Sequence, residues 1–257
     1  MPNLTRRELL TSALAGLVLS GLGGLPAAFA LGDADMLRLG MLRYPGAGWD
    51  LRPGALDQLL IEMELVTSVL VAPRADTLTA TDDLREHPLI FVSGDREFAP
   101  WAPAAREALR RWLQAGGMLV FDSSEDRVDG GFHASARREV LALLPDQPLE
   151  RLPASHVLFK SFYLCRGNEG RRPTADFVEG VHEDGRLKIL YSHNDLLGAW
   201  SRDASGRASL AVNGGERGRE MALRFGVNIL MYALTHDYKE DQVHVPFLLR
   251  RRRWRVP

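Results

Sequence analysis

The residues able to do chemistry fall into four short clusters, each directly behind an apolar run. Tyr44-Pro45-Gly46-Ala47-Gly48-Trp49-Asp50 follows the first, and Ser93-Gly94-Asp95-Arg96-Glu97-Phe98 follows another. Asp122-Ser123-Ser124-Glu125-Asp126 comes next, then Ser192-His193-Asn194-Asp195 with Gly198-Ala199-Trp200 close behind. Taken singly, each is ordinary turn and cap chemistry, because Asp, Asn, Ser and Gly satisfy or relax the backbone at turns. Together they describe a cleft, provided the apolar runs are adjacent parallel strands: open α/β sheets bind ligands beyond the carboxyl ends of their strands. The expected contacts are Trp49, Gly94, Asp95, Asp122, Ser123, Asn194, Asp195 and Trp200. The two indoles offer a flat apolar face and one N–H donor, suited to a sugar ring or a partner side chain, or else to packing in the core.

Several reactions can be tested against these residues. Ser123 or Ser124 stands where a nucleophile would, with His133, His156 or His193 as base and Asp122 or Asp195 to orient it. Ser123, His156 and Asp195 are the catalytic candidates. The chain lacks the G-x-S-x-G whose glycines admit the strained turn of a serine nucleophile. Asp122, His156, His193 and Asp195 offer metal ligands, but no H-x-x-x-H or H-E-x-x-H spacing brings two onto one helix face, so no metal is expected. Asp122 and Glu125 resemble a glycosidase acid–base pair only in type, since nothing sets their separation. There is no P-loop and no G-x-G-x-x-G behind a strand, so no cofactor is expected.

The elements that must position these residues alternate. Leu37–Leu42 reads as a first strand, and Pro53 opens a helix with Leu56, Leu59, Leu60 and Met63 on one face. Ser68–Ala72 and Leu89–Val92 are short apolar runs. Pro103 opens a second helix that carries Leu109, Trp112 and Leu113 and stops at Gly116-Gly117. Met118–Phe121 is the next strand, Phe132–Leu144 the next helix, and Leu187–Tyr191 a late strand. Met221–Leu234 is an apolar helix interrupted by Arg224 and Asn228, too short and polar to span a membrane. Residues 149–185 are irregular. Continuous apolar runs between amphipathic helices predict a mostly parallel sheet covered on both faces, an open α/β sandwich.

Five segments, in this order, carry a resemblance: HPLIFVSGDREF, PAAREALRRWLQAGGMLVFDSSE, RLPASHVLFKSFY, GRLKILYSHNDLLGAW and FGVNILMYALTHD. The chain resembles domain of unknown function 4159 over roughly residues 36–238. That resemblance implies a flavodoxin-like three-layer sandwich of the class I glutamine amidotransferase type. It also implies an envelope assembly, since some relatives are found beside membrane-associated proteins with von Willebrand-type domains and MoxR-type ATPases. Glutamine hydrolysis needs a cysteine at a tight strand-to-helix turn. The corresponding turn here, Phe121–Glu125, has none, and Cys165, the sole cysteine, lies in the irregular region. Amidotransferase activity is not expected.

The ends of the chain bear on its location. Thr5-Arg6-Arg7-Glu8-Leu9-Leu10, the uncharged stretch Ala13–Leu25, and Ala28-Phe29-Ala30 have the order of a twin-arginine-type signal peptide cleaved after Ala30. A periplasmic location follows, with residues 31–240 as the working domain and 241–257 as a basic tail. The net charge of −1 hides an acidic body and the tail Arg250-Arg251-Arg252-Arg253-Trp254-Arg255, which suits an anionic membrane surface or an acidic partner. An acidic body excludes nucleic acid as the main ligand. The expectation is an exported, non-catalytic domain that binds a small ligand or protein partner in the cell envelope. The alternative is a hydrolase using Ser123 or a metal near Asp122 and His156.

Overall fold

The computed structural model describes residues 36–242 except Ala47 and Ala204, with no side-chain detail beyond Thr235. The signal segment 1–30 and the arginine tail lie outside the described residues. Seven strands form one open sheet in the order β2-β1-β3-β4-β7-β6-β5. β1 (Leu39–Leu42), β2 (Asp76–Leu78), β3 (Leu89–Gly94), β4 (Met118–Ser123) and β7 (Arg186–Ser192) run parallel. β6 (Glu179–Glu183) and β5 (Glu150–Arg151) extend the β7 edge antiparallel. The order 2-1-3-4 followed by a fifth parallel strand is that of a flavodoxin-like doubly wound sheet, whose switch point lies between β1 and β3.

Both faces of the sheet are covered, which is why β3 and β4 are buried at every position and read as unbroken apolar runs. On one face α1 (Ala55–Val66) turns Leu56, Leu59, Leu60 and Met63 inward at helical spacing. It packs there with α4 (Leu196–Trp200) and the long α5 (Gly215–Gln242), around Phe91, Leu190, Trp200 and Phe225. On the other face α2 (Pro103–Gln114) and α3 (Gly131–Leu143) cover Val92, Leu119, Phe121 and Tyr191. No helix among the described residues is long and apolar enough to cross a membrane.

The elements differ from the sequence reading in three places. The run Ser68–Ala72 contributes only an isolated bridge from Val71 to Leu37, and the edge strand is the more polar β2 a few residues later. Pro53 precedes the first helix rather than opening it, because Gly54 takes the cap position at φ 75°. The irregular stretch 149–185 supplies β5 and the whole of β6; β5 is an exposed two-residue edge, and β6 carries charge at both ends, so neither presents a continuous apolar run. Gly116 does stop α2 as expected: at φ 111° it lets the N–H groups of Gly116 and Gly117 return to Leu113 and Trp112 carbonyls.

Candidate functional site: a locked switch edge beside an aromatic cavity

Parallel pairing sets Ser93 beside Asp122 and Asp122 beside Ser192, so three of the four polar clusters meet on one sheet edge. The fourth joins through Tyr44, whose hydroxyl donates to the Ser93 carbonyl at 2.7 Å, and through Arg52 on the loop before α1. Most of the polar groups gathered there are spent on the protein itself. The Asp122 carboxylate is fully buried and accepts the N–H groups of Leu196 (2.8 Å) and Leu197 (2.9 Å) at the start of α4. Asn194 closes the preceding loop with two bonds to the Ala175 backbone, 2.8 and 2.9 Å.

Asp195 is the hub. It is fully buried and stands in the left-handed region at φ 53°, ψ 62°, a conformation that Asp tolerates better than most residues. Its carboxylate takes Arg52 at 3.0 and 3.3 Å, Arg171, the Ser124 hydroxyl at 2.9 Å and the Gly198 N–H at 3.0 Å. Burial opposes its ionisation, but the two guanidinium groups outweigh that and hold its pKa below the usual carboxylate range. Burial and the neighbouring Asp195 charge push the Asp122 carboxyl the other way, up to about 7. The tight strand-to-helix turn of this sheet is thus β7–Asp195–α4. The turn after β4, where the sequence reading looks for a nucleophile, opens instead into a longer loop, Ser124–Gly130, before α3.

The remaining candidates are placed as follows. Trp200 is not a surface residue: it is fully buried, meets Phe91 edge-on, and donates its indole N–H to the Ala222 carbonyl at 2.9 Å. Gly94 serves packing, since a Cβ there would collide with the Phe132 ring. Asp95 makes a surface pair with Arg96 at 2.7 Å. Ser123 accepts the Glu125 N–H at 3.2 Å, and Ser124 is held by Asp195. No hydrogen bond joins either serine to a histidine among the described residues. His156 cannot complete such a set: it contacts His182 at 3.0 Å, level with Leu187. That is five residues down β7 from Ser192, about 16 Å at strand spacing. Burial and Glu169 push the Cys165 thiol up to about 12, which leaves it inert as a nucleophile.

Trp49 does line an opening. It is half-buried at a cavity of about 480 Å³ beyond the carboxyl ends of β1 and β2, walled by Tyr44, Trp101, Thr79 and Thr81. Trp101, a wall residue only 3% exposed, has no acceptor for its indole N–H among the described residues. Its position is fixed from behind. The buried Glu139 of α3 accepts the Trp101 backbone N–H at 3.4 Å and ion-pairs with Arg106 of α2 at 2.7 Å and Arg138 at 2.9 Å. A larger hollow of about 770 Å³ lies at the opposite edge, beside Pro88 and Gly117, and is rimmed by Asp83, Arg85 and Arg186. It is at the wrong end of the strands for a doubly wound site. Sequence reasoning found Trp49 by its position behind a strand. It missed Arg52, Arg171, Glu139 and Trp101, which lie outside the post-strand clusters.

A second group gathers beside β7. His133 of α3, Glu179 at the start of β6 and His193 behind β7 bring one ligand atom each to within 4.8 Å of one another. His193 Nε2 is 2.9 Å from Glu179 Oε2, and Arg137 holds Oε1 at 3.0 Å. Burial and then His193 lower the His133 pKa. Local spacing gave no warning of this trio, because its members come from three separate elements.

The fold and the two edges define a doubly wound α/β domain that has a sealed polar turn and an open aromatic cavity. The chain belongs to the family described as domain of unknown function (DUF4159), which matches residues 38–234. No curated protein matches its sequence.

Proposed function

We propose that this is an exported, non-catalytic, amidotransferase-like domain that binds a small ligand or a partner side chain in the cell envelope, at the cavity between Trp49, Tyr44 and Trp101. One observation carries the reading. The tight strand-to-helix turn behind β7 is occupied by Asp195, neutralised by Arg52 and Arg171, the turn behind β4 carries no cysteine, and the aromatic cavity is open. Two indoles and a phenol ring supply apolar faces, and the buried Trp101 N–H has no acceptor among the described residues. That combination suits a ring with an apolar face and a hydrogen-bond acceptor: a sugar, or an aromatic side chain near a peptide carbonyl.

The test is a titration of intrinsic tryptophan fluorescence with a panel of mono- and disaccharides and short aromatic peptides, on the wild type and on Trp49→Ala. At least one class should bind the wild type and lose about tenfold or more with Trp49→Ala, the loss of a stacking contact worth about 1.5 kcal/mol. Binding that is indifferent to Trp49, or no binding in the millimolar range, refutes the cavity as the site. Export is tested separately, by sequencing the amino terminus of the protein recovered from the periplasm; a start after Ala30 supports it.

A further inference from the structure

We propose that His133, Glu179 and His193 form a binding site for one divalent transition-metal ion of the zinc class, independent of the aromatic cavity. Two imidazoles and one carboxylate are the donor set of borderline ions, and three protein ligands leave a further coordination position for water. Ligand atoms on a tetrahedral ion with bonds of about 2.0–2.1 Å stand about 3.4 Å apart. The three here already lie within 4.8 Å of one another, so side-chain rotations without backbone movement close the set.

The elements that carry the trio are rigid. Glu179 pairs with Tyr191 in the β6–β7 ladder, His193 follows β7 directly, and His133 stands in the first turn of α3. That turn is itself capped by Glu125, which accepts the Phe132 and His133 N–H groups at 3.1 and 3.2 Å. The rings of Tyr191 and Phe177 wall the two imidazoles. Within that wall His193 is 1% exposed, and the Nδ1 atoms of both His193 and His133 are buried with no hydrogen-bond partner among the described residues. A buried imidazole nitrogen without a partner costs about 1–3 kcal/mol, a cost that coordination through Nδ1 removes at His133. Arg137 is a positive charge against an incoming cation. Its side chain is 44% exposed and therefore partly screened, and its bond to Oε1 leaves Oε2 directed at His193. An ion entering here takes the place of the proton shared by His193 Nε2 and Glu179 Oε2, and that proton leaves to solvent.

The full chain, stripped with EDTA and dialysed, is titrated with Zn²⁺ by calorimetry and with Co²⁺ by visible absorption. The expected result is about one tight equivalent per chain, with Co²⁺ bands of a low-symmetry nitrogen–oxygen site. His133→Ala, on a half-buried position that should fold, and Glu179→Gln should each weaken binding by more than about 100-fold, since even outer-sphere losses cost 10–100-fold. Far-UV circular dichroism checks that both variants are folded. His156→Ala and His182→Ala, which break the other histidine pair, should leave the equivalent in place, and so should Trp49→Ala. No uptake by the wild type overturns the proposal, as does an equivalent retained by folded His133→Ala and Glu179→Gln or lost with His156→Ala. None of these outcomes touches the cavity reading, which Trp49→Ala tests alone.

Discussion

Replacing Asp195 by alanine separates a structural carboxylate from a functional one by the sign of a single measurement. Arg52 and Arg171 have side chains 17% and 12% exposed, and the carboxylate between them is fully buried. Truncation leaves two largely desolvated guanidinium groups facing each other and removes the acceptor for the Ser124 hydroxyl and the Gly198 N–H. Removing one partner of a buried ion pair costs about 3–5 kcal/mol. The two pairs share one carboxylate, and the arginines keep some access to water, so the lower part of that range applies. Alanine at φ 53° adds about 1 kcal/mol that aspartate largely escapes. The expected loss for Asp195→Ala is therefore about 4 kcal/mol, a large fraction of the 5–15 kcal/mol typical of a domain. In urea, with a slope of about 3 kcal/mol/M, the unfolding midpoint falls by about 1.3 M. Asp195→Asn, which keeps the tolerance for positive φ and one of the two acceptor oxygens but not the charge, should lose about 2–3 kcal/mol. A catalytic carboxylate held at a cost to stability would give the opposite result, because relieving such a site commonly stabilises the fold. Asp195→Ala within 1 kcal/mol of wild type, or above it, refutes the assignment of Asp195 as the clamp of the β7 turn.

Other consequences are open to direct measurement. Trp200→Ala should destabilise by about 3–5 kcal/mol through the cavity it leaves between α1 and α5, and Trp200→Phe should recover much of that while leaving the Ala222 carbonyl without its donor; chemical unfolding reads both. The Asp122 carboxyl, raised to about 7 by burial and by the Asp195 charge, binds its proton more tightly in the folded protein than in the unfolded chain. Stability should therefore be greatest below about pH 4 as far as this group is concerned, and decline by more than about 1 kcal/mol as pH rises to 7. Asp122→Asn should flatten that slope in urea titrations across the range, and an unchanged slope removes the argument. The Cys165 thiol, pushed up to about 12, should resist a thiol reagent at pH 8 until the protein is unfolded; rapid labelling of the folded chain contradicts its burial.

The parts of the fold legible in the sequence are those where a period or a punctuating residue states the geometry. The unbroken runs at Leu89–Val92 and Met118–Phe121 announced strands buried on both faces, and Leu56, Leu59, Leu60 and Met63 announced a helix. Three strands did not show: the edge strands β2 and β5 are three and two residues long, and β6, between β7 and β5, carries charge in place of an apolar run. The same limit governs the site. Asp122, Ser123, Asn194 and Asp195 were visible as residues behind strands, but whether a carboxylate faces a cleft or its own backbone depends on what comes to meet it. Here the answer came from Arg52 and Arg171, which lie 143 and 24 residues away from Asp195 in sequence. Trp200 takes the core alternative for a related reason. A tryptophan behind a strand can line the mouth of the sheet or roof its core. The short helix α4, invisible to a helical period at five residues, turned it onto Phe91.

The antiparallel extension is what brings a second polar group to the end of β7. In a purely parallel sheet the edge beyond β4 would end at β7, and the residues behind β7 would meet only the loops of neighbouring strands. β6 runs back along β7, so its first residue, Glu179, lies opposite Tyr191 and beside His193, at the edge where β7 finishes. An acid from the start of one strand and a histidine from the end of its neighbour are thereby placed within hydrogen-bond reach, and α3 lowers His133 onto the pair. The same β7 turn locks Asp195 on the other face, against Arg52 and Arg171. One strand end therefore carries two buried groups: a charge that holds α4 to the sheet through Asp195, and the nitrogen–oxygen set of His133, Glu179 and His193 to which we assign coordination. If the clamp is lost, both should suffer, since His193 is two residues from Asp195. If the trio is lost, the clamp should survive, because no bond of Asp195 passes through it. This asymmetry follows from the topology, and comparing unfolding midpoints of Asp195→Asn and His133→Ala exposes it.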